Sequence, residues 1–300
     1  MIEMPQPETI VTGLSLPECP RWHGGALYFS DIMQGRVHRL NDDFSTTIVY
    51  ENAEDFVGGI GFLDDASLIA VLSKQRLLVR AGSVEPAVYA RLDSLCRFVL
   101  NDMVTTIAGR VYVSQPGHDI WAGGSGGIPQ PTELLLVDPD GTVTIAADRL
   151  MGPNGVAVSS DGRTLYVAES AAMRITCFTI DRATGRLSER RIFAQLPDGA
   201  IPDGICLDDE GAVWAACPIS FGDGHARPGP GVMRLSEGGA ATLVVPMVPG
   251  RRALACTLGG AGRTTLYICT VPDFDGALPD ANGQGRIEQV ATDFAGQGAP

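Results

Sequence analysis

The segment GPNGVAVSSDGRTLYVAES, residues 152–170, decides the fold. It opens on the turn tripeptide Pro153-Asn154-Gly155 and runs through a short apolar stretch, Val156–Val158. It then breaks at Ser159-Ser160-Asp161-Gly162 and resumes as the aromatic, β-branched run Leu165-Tyr166-Val167. Two short strands joined by a tight polar turn make a hairpin. RITCFTI (174–180) and RRIFAQL (190–196) supply a third and a fourth strand before the pattern restarts.

The aromatic second strand recurs along the chain as GALYFSD (25–31), GRVYVSQ (109–115), GAVWAAC (211–217) and TTLYICT (264–270). GIGFLDDASLIAVLS (59–73) is a sixth, weaker copy. Six copies in 300 residues give 50 residues per copy, within the range of a four-stranded propeller blade. A parallel doubly wound sheet needs a long crossover between strands, and the intervals here read as hairpins. A jelly roll does not repeat one signature six times. The expected fold is therefore all-β, a six-bladed β-propeller with four-stranded blades, with residues 1–300 as one domain.

Composition agrees with this reading and excludes several functions. The 37 glycines and 20 prolines punctuate short strands, and no apolar run approaches the length of a bilayer span. A net charge of −13 argues against nucleic acid, which requires clustered Lys and Arg. Seven cysteines without Cys-x-x-Cys spacing suggest neither a disulfide framework nor a thiolate zinc site. The N-terminal segment MIEMPQPETI lacks the features of a secretory signal, and a cytoplasmic location is expected. No Gly-x-Ser-x-Gly elbow is present for a serine nucleophile.

The candidate site follows from the repeat. Four copies begin with a polar residue: Glu18, Asn101, Asn154 and Asp203. They lie 10, 11, 12 and 11 residues before Tyr28, Tyr112, Tyr166 and Trp214, respectively. The other two copies begin with Gly58-Gly59 and Ala253-Leu254-Ala255, which offer no polar side chain. Equivalent positions in a closed ring converge on its axis, so the four polar residues should meet there. Two carboxylates and two carboxamides form a hard oxygen set suited to Ca²⁺, Mg²⁺ or Mn²⁺, with Zn²⁺ less usual. Taken singly, Pro-Asn-Gly and Pro-Asp-Gly are ordinary turn sequences; their shared phase points to a common site.

Two long segments on the same face, SQPGHDIWAGGSGGIPQPTE (114–133) and CPISFGDGHARPGPG (217–231), read as loops that shape a pocket. His118, Trp121, Phe221 and His225 are candidate substrate contacts there, and an aromatic lining suits a ligand less polar than a sugar. His23 and His38 fall in the first hairpin turn and an outer strand of the first copy.

These motifs, with PECPRWHGGALYFSD (17–31), LNDMVTTIAGRVYVS (100–114), PDGICLDDEGAVWAA (202–216) and LGGAGRTTLYICT (258–270), resemble the senescence marker protein/gluconolactonase/luciferin-regenerating enzyme family over nearly the whole chain. The resemblance implies one divalent cation held by Glu18, Asn154 and Asp203. It implies that Asn101 faces water or substrate and that Asp203 is the general base. The implied activity is opening of a lactone, a sugar acid lactone or another small cyclic ester, with the carbonyl polarised by the cation and water attack assisted by Asp203. A carboxylate held on a cation is a weak base, which favours strained esters over amides.

The chain departs from the family at two places. Cys19 stands where glycine is usual after the glutamate, and Val99 stands where members acting on sugar acid lactones often carry arginine; Arg97 lies two residues further back. A non-catalytic, metal-binding regulatory propeller of the regucalcin type is the alternative. A strictosidine-synthase-like propeller would lack the Glu/Asn/Asp set.

Overall fold

The computed structural model describes residues 2–81, 86–125, 127–274 and 283–297. Its strands form six antiparallel sheets arranged as a six-bladed propeller. Blade 1 is built from Pro17–His23, Ala26–Asp31, Arg36–Leu40 and Thr46–Glu51, running outward from the axis. Blade 4 repeats this order with Pro153–Val158, Thr164–Glu169, Arg174–Ile180 and Leu187–Gln195.

The apolar residues of the inner three strands are buried because each sheet packs face to face against both neighbours. One apolar cluster fills each of the six interfaces. Between blades 3 and 4, Val104, Tyr112 and Leu134 meet Val156, Leu165 and Phe178. Between blades 6 and 1, Leu14, Tyr267 and Ile287 meet Leu27, Phe29 and Leu40. The outermost strands face water, and Ser188–Ile192 is exposed throughout.

Closure uses the N-terminus, which the repeat pattern did not reveal. Glu8–Leu14 is the fourth strand of blade 6, paired antiparallel with Gly285–Ala291, so the two ends of the chain share one sheet. Ile2–Glu3 continues onto blade 5, parallel to Ala241–Val245.

The register explains the uneven 10–12 spacing seen in the sequence. Tyr28, Tyr112, Tyr166 and Trp214 pair with Arg21, Val104, Ala157 and Cys206. Each partner lies three residues after Glu18, Asn101, Asn154 and Asp203, so the phase is constant and only the hairpin turns vary. The same rule, through Gly61↔Ile69 and Thr257↔Tyr267, assigns Gly58 and Leu254 to the remaining two blades.

Residues 217–231, expected to be a loop, are mostly strand. Val213–Gly222 and His225–Leu235 extend the second and third strands of blade 5 into a long hairpin. Its tip is Asp223-Gly224, with φ of +52° and +79°, the left-handed pair that a two-residue hairpin turn requires. The Asp-Gly signal was present in the sequence but was masked by the surrounding glycines and prolines.

Candidate metal centre at the mouth of the ring

Backbone hydrogen bonds between neighbouring blades hold the inner-strand starts together. Gly59 N–H donates to Asn101 O at 2.8 Å, Gly155 N–H to Asp203 O at 3.3 Å and Gly204 N–H to Leu254 O at 2.9 Å. Glycine is required at these approaches. A Cβ at Gly155 would stand 2.5 Å from Asp203 O, and one at Gly58 would stand 2.5 Å from Asn101 O. The three-residue turns Ile32–Gln34 and Ser170–Ala172 lie on the same face, tied back by Ile32 N–H to Leu16 O and by Ser170 Oγ to Pro202 O.

The structure brings the four polar residues together. Asn101 Nδ2 donates to Asn154 Oδ1 at 2.9 Å, and the Asn154 carboxamide hydrogen-bonds the Asp203 carboxyl. Asp203 is buried, whereas Glu18, Asn101 and Asn154 are half-buried. Burial lifts the Asp203 pKa to about 7, with the Asn154 bond opposing the shift and Asp102 adding to it. Burial first, then the charges of Asp203 and Asp102, push Glu18 well above the usual carboxylate range.

Cys19 keeps Glu18 in place. Its N–H donates to Glu18 Oε2 at 2.8 Å, and its φ of +48° is the left-handed conformation that glycine adopts most readily. The thiol is buried, which pushes its pKa well up. Cys19→Gly is expected to melt within about 1 kcal/mol of the native protein, because strain relief and lost burial offset each other. Cys19→Val, β-branched at positive φ, should cost about 2 kcal/mol or more. Thermal melts of both variants check this; equal stability of the valine variant would overturn the strain argument.

Beneath the four residues lies a feature that the sequence did not suggest. Arg21 of blade 1 reaches across the axis to blade 3, where its Nη2 meets Asp102 Oδ1 at 2.7 Å and Met103 O. Both side chains are nearly buried, at 10% and 5% exposure. Below this pair is a cavity lined by inner-strand residues of five blades, including Val104, Ala157, Cys206 and Thr257. The C-terminal segment closes its far end: Gln297 N–H donates to Leu207 O and Gln297 Nε2 to Asp208 O. Gln297 thus ties the C-terminal segment across the end of the axis opposite Glu18.

Among the described residues no ion pair neutralises Glu18 or Asp203, since Arg21 bonds to Asp102. No three His, Cys, Asp or Glu side chains cluster as a metal site among them either. The donor set is two carboxylates and two carboxamides. One buried and one half-buried carboxyl group, mutually repelling and with hard oxygen neighbours, fit a divalent cation of the Ca²⁺, Mg²⁺ or Mn²⁺ kind.

The other candidates are placed as follows. Trp121 is half-buried in the turn Ile120–Ser125, and its Nε1 donates to Ser73 Oγ at 2.7 Å. Ser73 in turn bonds to Leu100 O, beside Asn101. Residue 126 and the side chains of 123–125 lie outside the described residues. His118 is half-buried, with Nδ1 3.2 Å from Pro116 O. His225 is exposed at the tip of the blade 5 hairpin, paired with Gly222, and Phe221 is exposed beside it. No hydrogen bond among the described residues links either histidine to the four-residue cluster. His23 ends the inner strand of blade 1 and stacks on Phe62, and His38 stacks on Phe29.

The chain is thus a six-bladed propeller with an oxygen-rich cluster where its inner strands begin. The family model described as "SMP-30/Gluconolactonase/LRE-like region" matches residues 16–272, and the chain belongs to that family. A pentonolactonase, XacC, of Haloferax volcanii is 28% identical over 96% of this chain and 94% of its own length. A regucalcin of Oryctolagus cuniculus is 25% identical over 90% and 89%. Among solved structures, a gluconolactonase of Xanthomonas campestris superposes with a TM-score of 0.72 at 24% identity, covering 94% of this chain and 88% of that one. A calcium-binding regucalcin of Agrobacterium tumefaciens gives 0.75 at 18%, covering 100% and 98%. These two structures bear on the fold.

Proposed function

We propose that the protein is a divalent-metal-dependent lactonase. The observation that carries this reading is the cluster itself: Glu18, Asn154 and Asp203, with Asn101 bonded to Asn154, brought together from four blades where the inner strands begin. Kinship with a pentonolactonase along nearly the whole chain supports it.

Glu18, Asn154 and Asp203 would hold the cation, which supplies positive charge for the ester carbonyl and the oxyanion that develops there. Asp203 takes the proton of the attacking water on a carboxylate oxygen and returns it to the leaving alkoxide. Asn154 fixes the orientation of Asp203, and Asn101 fixes Asn154. His118, Trp121 and His225 are the proposed substrate contacts around the mouth. Regucalcin-type binding without turnover is the second reading, favoured by the regucalcins among the relatives.

One experiment separates the two. Chelated protein and protein reloaded with Ca²⁺, Mg²⁺, Mn²⁺ or Zn²⁺ are mixed with γ- and δ-lactones, and acid release is followed. Turnover restored by a cation is the expected result. Turnover that survives chelation overturns the metal mechanism, and cation binding without turnover of any lactone establishes the binding reading.

A further inference from the structure

Apolar side chains from blades 6, 1, 2 and 3 form one cluster around the mouth. Blades 6, 1, 2 and 3 follow one another around the ring, so the cluster forms an arc of wall beside the inner-strand starts. Its buried base includes Leu16, two residues before Glu18, and Leu254, the ring position of blade 6. Above that base stand four half-buried side chains, Met33, Phe56, Trp121 and Phe274. Phe56 and Trp121 meet edge to face with centroids 4.8 Å apart. The indole is anchored through Ser73 to the backbone beside Asn101.

The hydrogen-bonding groups of Trp121, Ser73 and Arg252 along this wall are already engaged. Trp121 Nε1 and Ser73 Oγ bond as described above. The Lys74 ammonium sits 3.7 Å from the centroid of the Phe56 ring. Arg252 is bonded to Asp273 and to Pro218 O. Neither Val99 nor Arg97 adds a group for a polyol: Val99 is buried, and Arg97 lies over Phe98 in a groove with Asp93 and Glu133. Recognition of a polyhydroxylated ring needs free, positioned hydrogen-bonding groups, because a hydroxyl left unpaired on binding is costly. An alkyl or aryl substituent needs only apolar surface to cover it.

We infer that the substrate is a lactone carrying an apolar substituent, with its ring over the Glu18–Asp203 cluster and its alkyl or aryl group against the Met33–Phe56–Trp121–Phe274 wall. This rests on the lactonase reading above and narrows it. The wall acts as a specificity determinant, while the four polar residues act on the ester.

The test compares kcat/KM of the cation-loaded protein on three δ-lactones: unsubstituted δ-valerolactone, a δ-lactone bearing an n-pentyl chain, and glucono-δ-lactone. The pentyl lactone should exceed the unsubstituted one by about tenfold or more, since a single methylene in a hydrophobic pocket is worth about tenfold at the lower end of its range. Trp121→Ala and Phe56→Ala should each reduce that ratio severalfold, and Trp121→Phe should preserve more of it. A preference for glucono-δ-lactone, or equal turnover of all three, overturns the inference and leaves the lactonase reading standing. Loss of turnover on all three lactones in equal proportion in the variants also overturns it. Failure of the native protein to open any lactone overturns both. The comparison on native protein decides the matter even where a variant does not fold.

Discussion

Replacing Asp203 with asparagine is expected to stabilise the metal-free protein while removing its function. Asp203 is buried and sits close enough to Glu18 and Asp102 for their charges to interact. Its folded-state pKa of about 7 lies above the value near 3.9 of an unfolded chain. Between those values the folded state holds the proton more tightly, so the contribution of Asp203 to stability is full below about pH 4 and declines as pH rises toward 7. The chelated native protein should therefore lose melting temperature across that window, and Asp203→Asn should flatten the loss. A cation competes with the same proton, so its affinity should rise with pH up to about 7. In the variant, cation affinity should fall by at least about 100-fold, and turnover by about 10²–10³-fold. Melting curves with and without chelator, together with calorimetric cation binding, measure both effects. An Asp203→Asn protein that binds cation as the native one does would exclude Asp203 as a ligand.

The second large effect concerns Arg21. Arg21→Met leaves Asp102 buried and unpaired beside the Glu18 and Asp203 carboxyls, a situation that costs about 3–5 kcal/mol. The metal-free variant should melt well below the native protein, and added cation should recover more stability in the variant than in the native protein, because a third uncompensated carboxylate then faces it. Adding Asp102→Asn to Arg21→Met should restore part of the loss, and the double-mutant cycle isolates the pair. Additive effects of the two substitutions would show that the ion pair spanning the axis does not couple the blades.

The two predictions draw on residues that differed in legibility. Glu18, Asn101, Asn154 and Asp203 could be found because a repeat makes phase a local property. Each sits at the start of an apolar strand that precedes an aromatic strand, and a closed ring turns equal phase into proximity. Even the 10–12 spread carried no ambiguity once the register showed that turn length absorbed it. Arg21 and Asp102 lie in the same motifs, three residues and one residue beyond ligand candidates, yet nothing local marks them as partners. They are 81 residues apart on non-adjacent blades, and only the narrowness of the channel lets one guanidinium span it. Trp121 was visible as an aromatic in a mouth segment. Its attachment to Ser73, 48 residues away, and its edge contact with Phe56 were not.

The sequence by itself determined six blades, their strand order and the phase of four oxygen donors, because β-alternation, turn residues and a repeat of 50 are written in consecutive positions. Tertiary structure decided which end closes the ring, what lies across the axis opposite Glu18, which cation balances Asp102 and which apolar side chains stand beside the cluster. Each of those depends on distances between blades, and such distances are fixed only when all six interfaces pack at once.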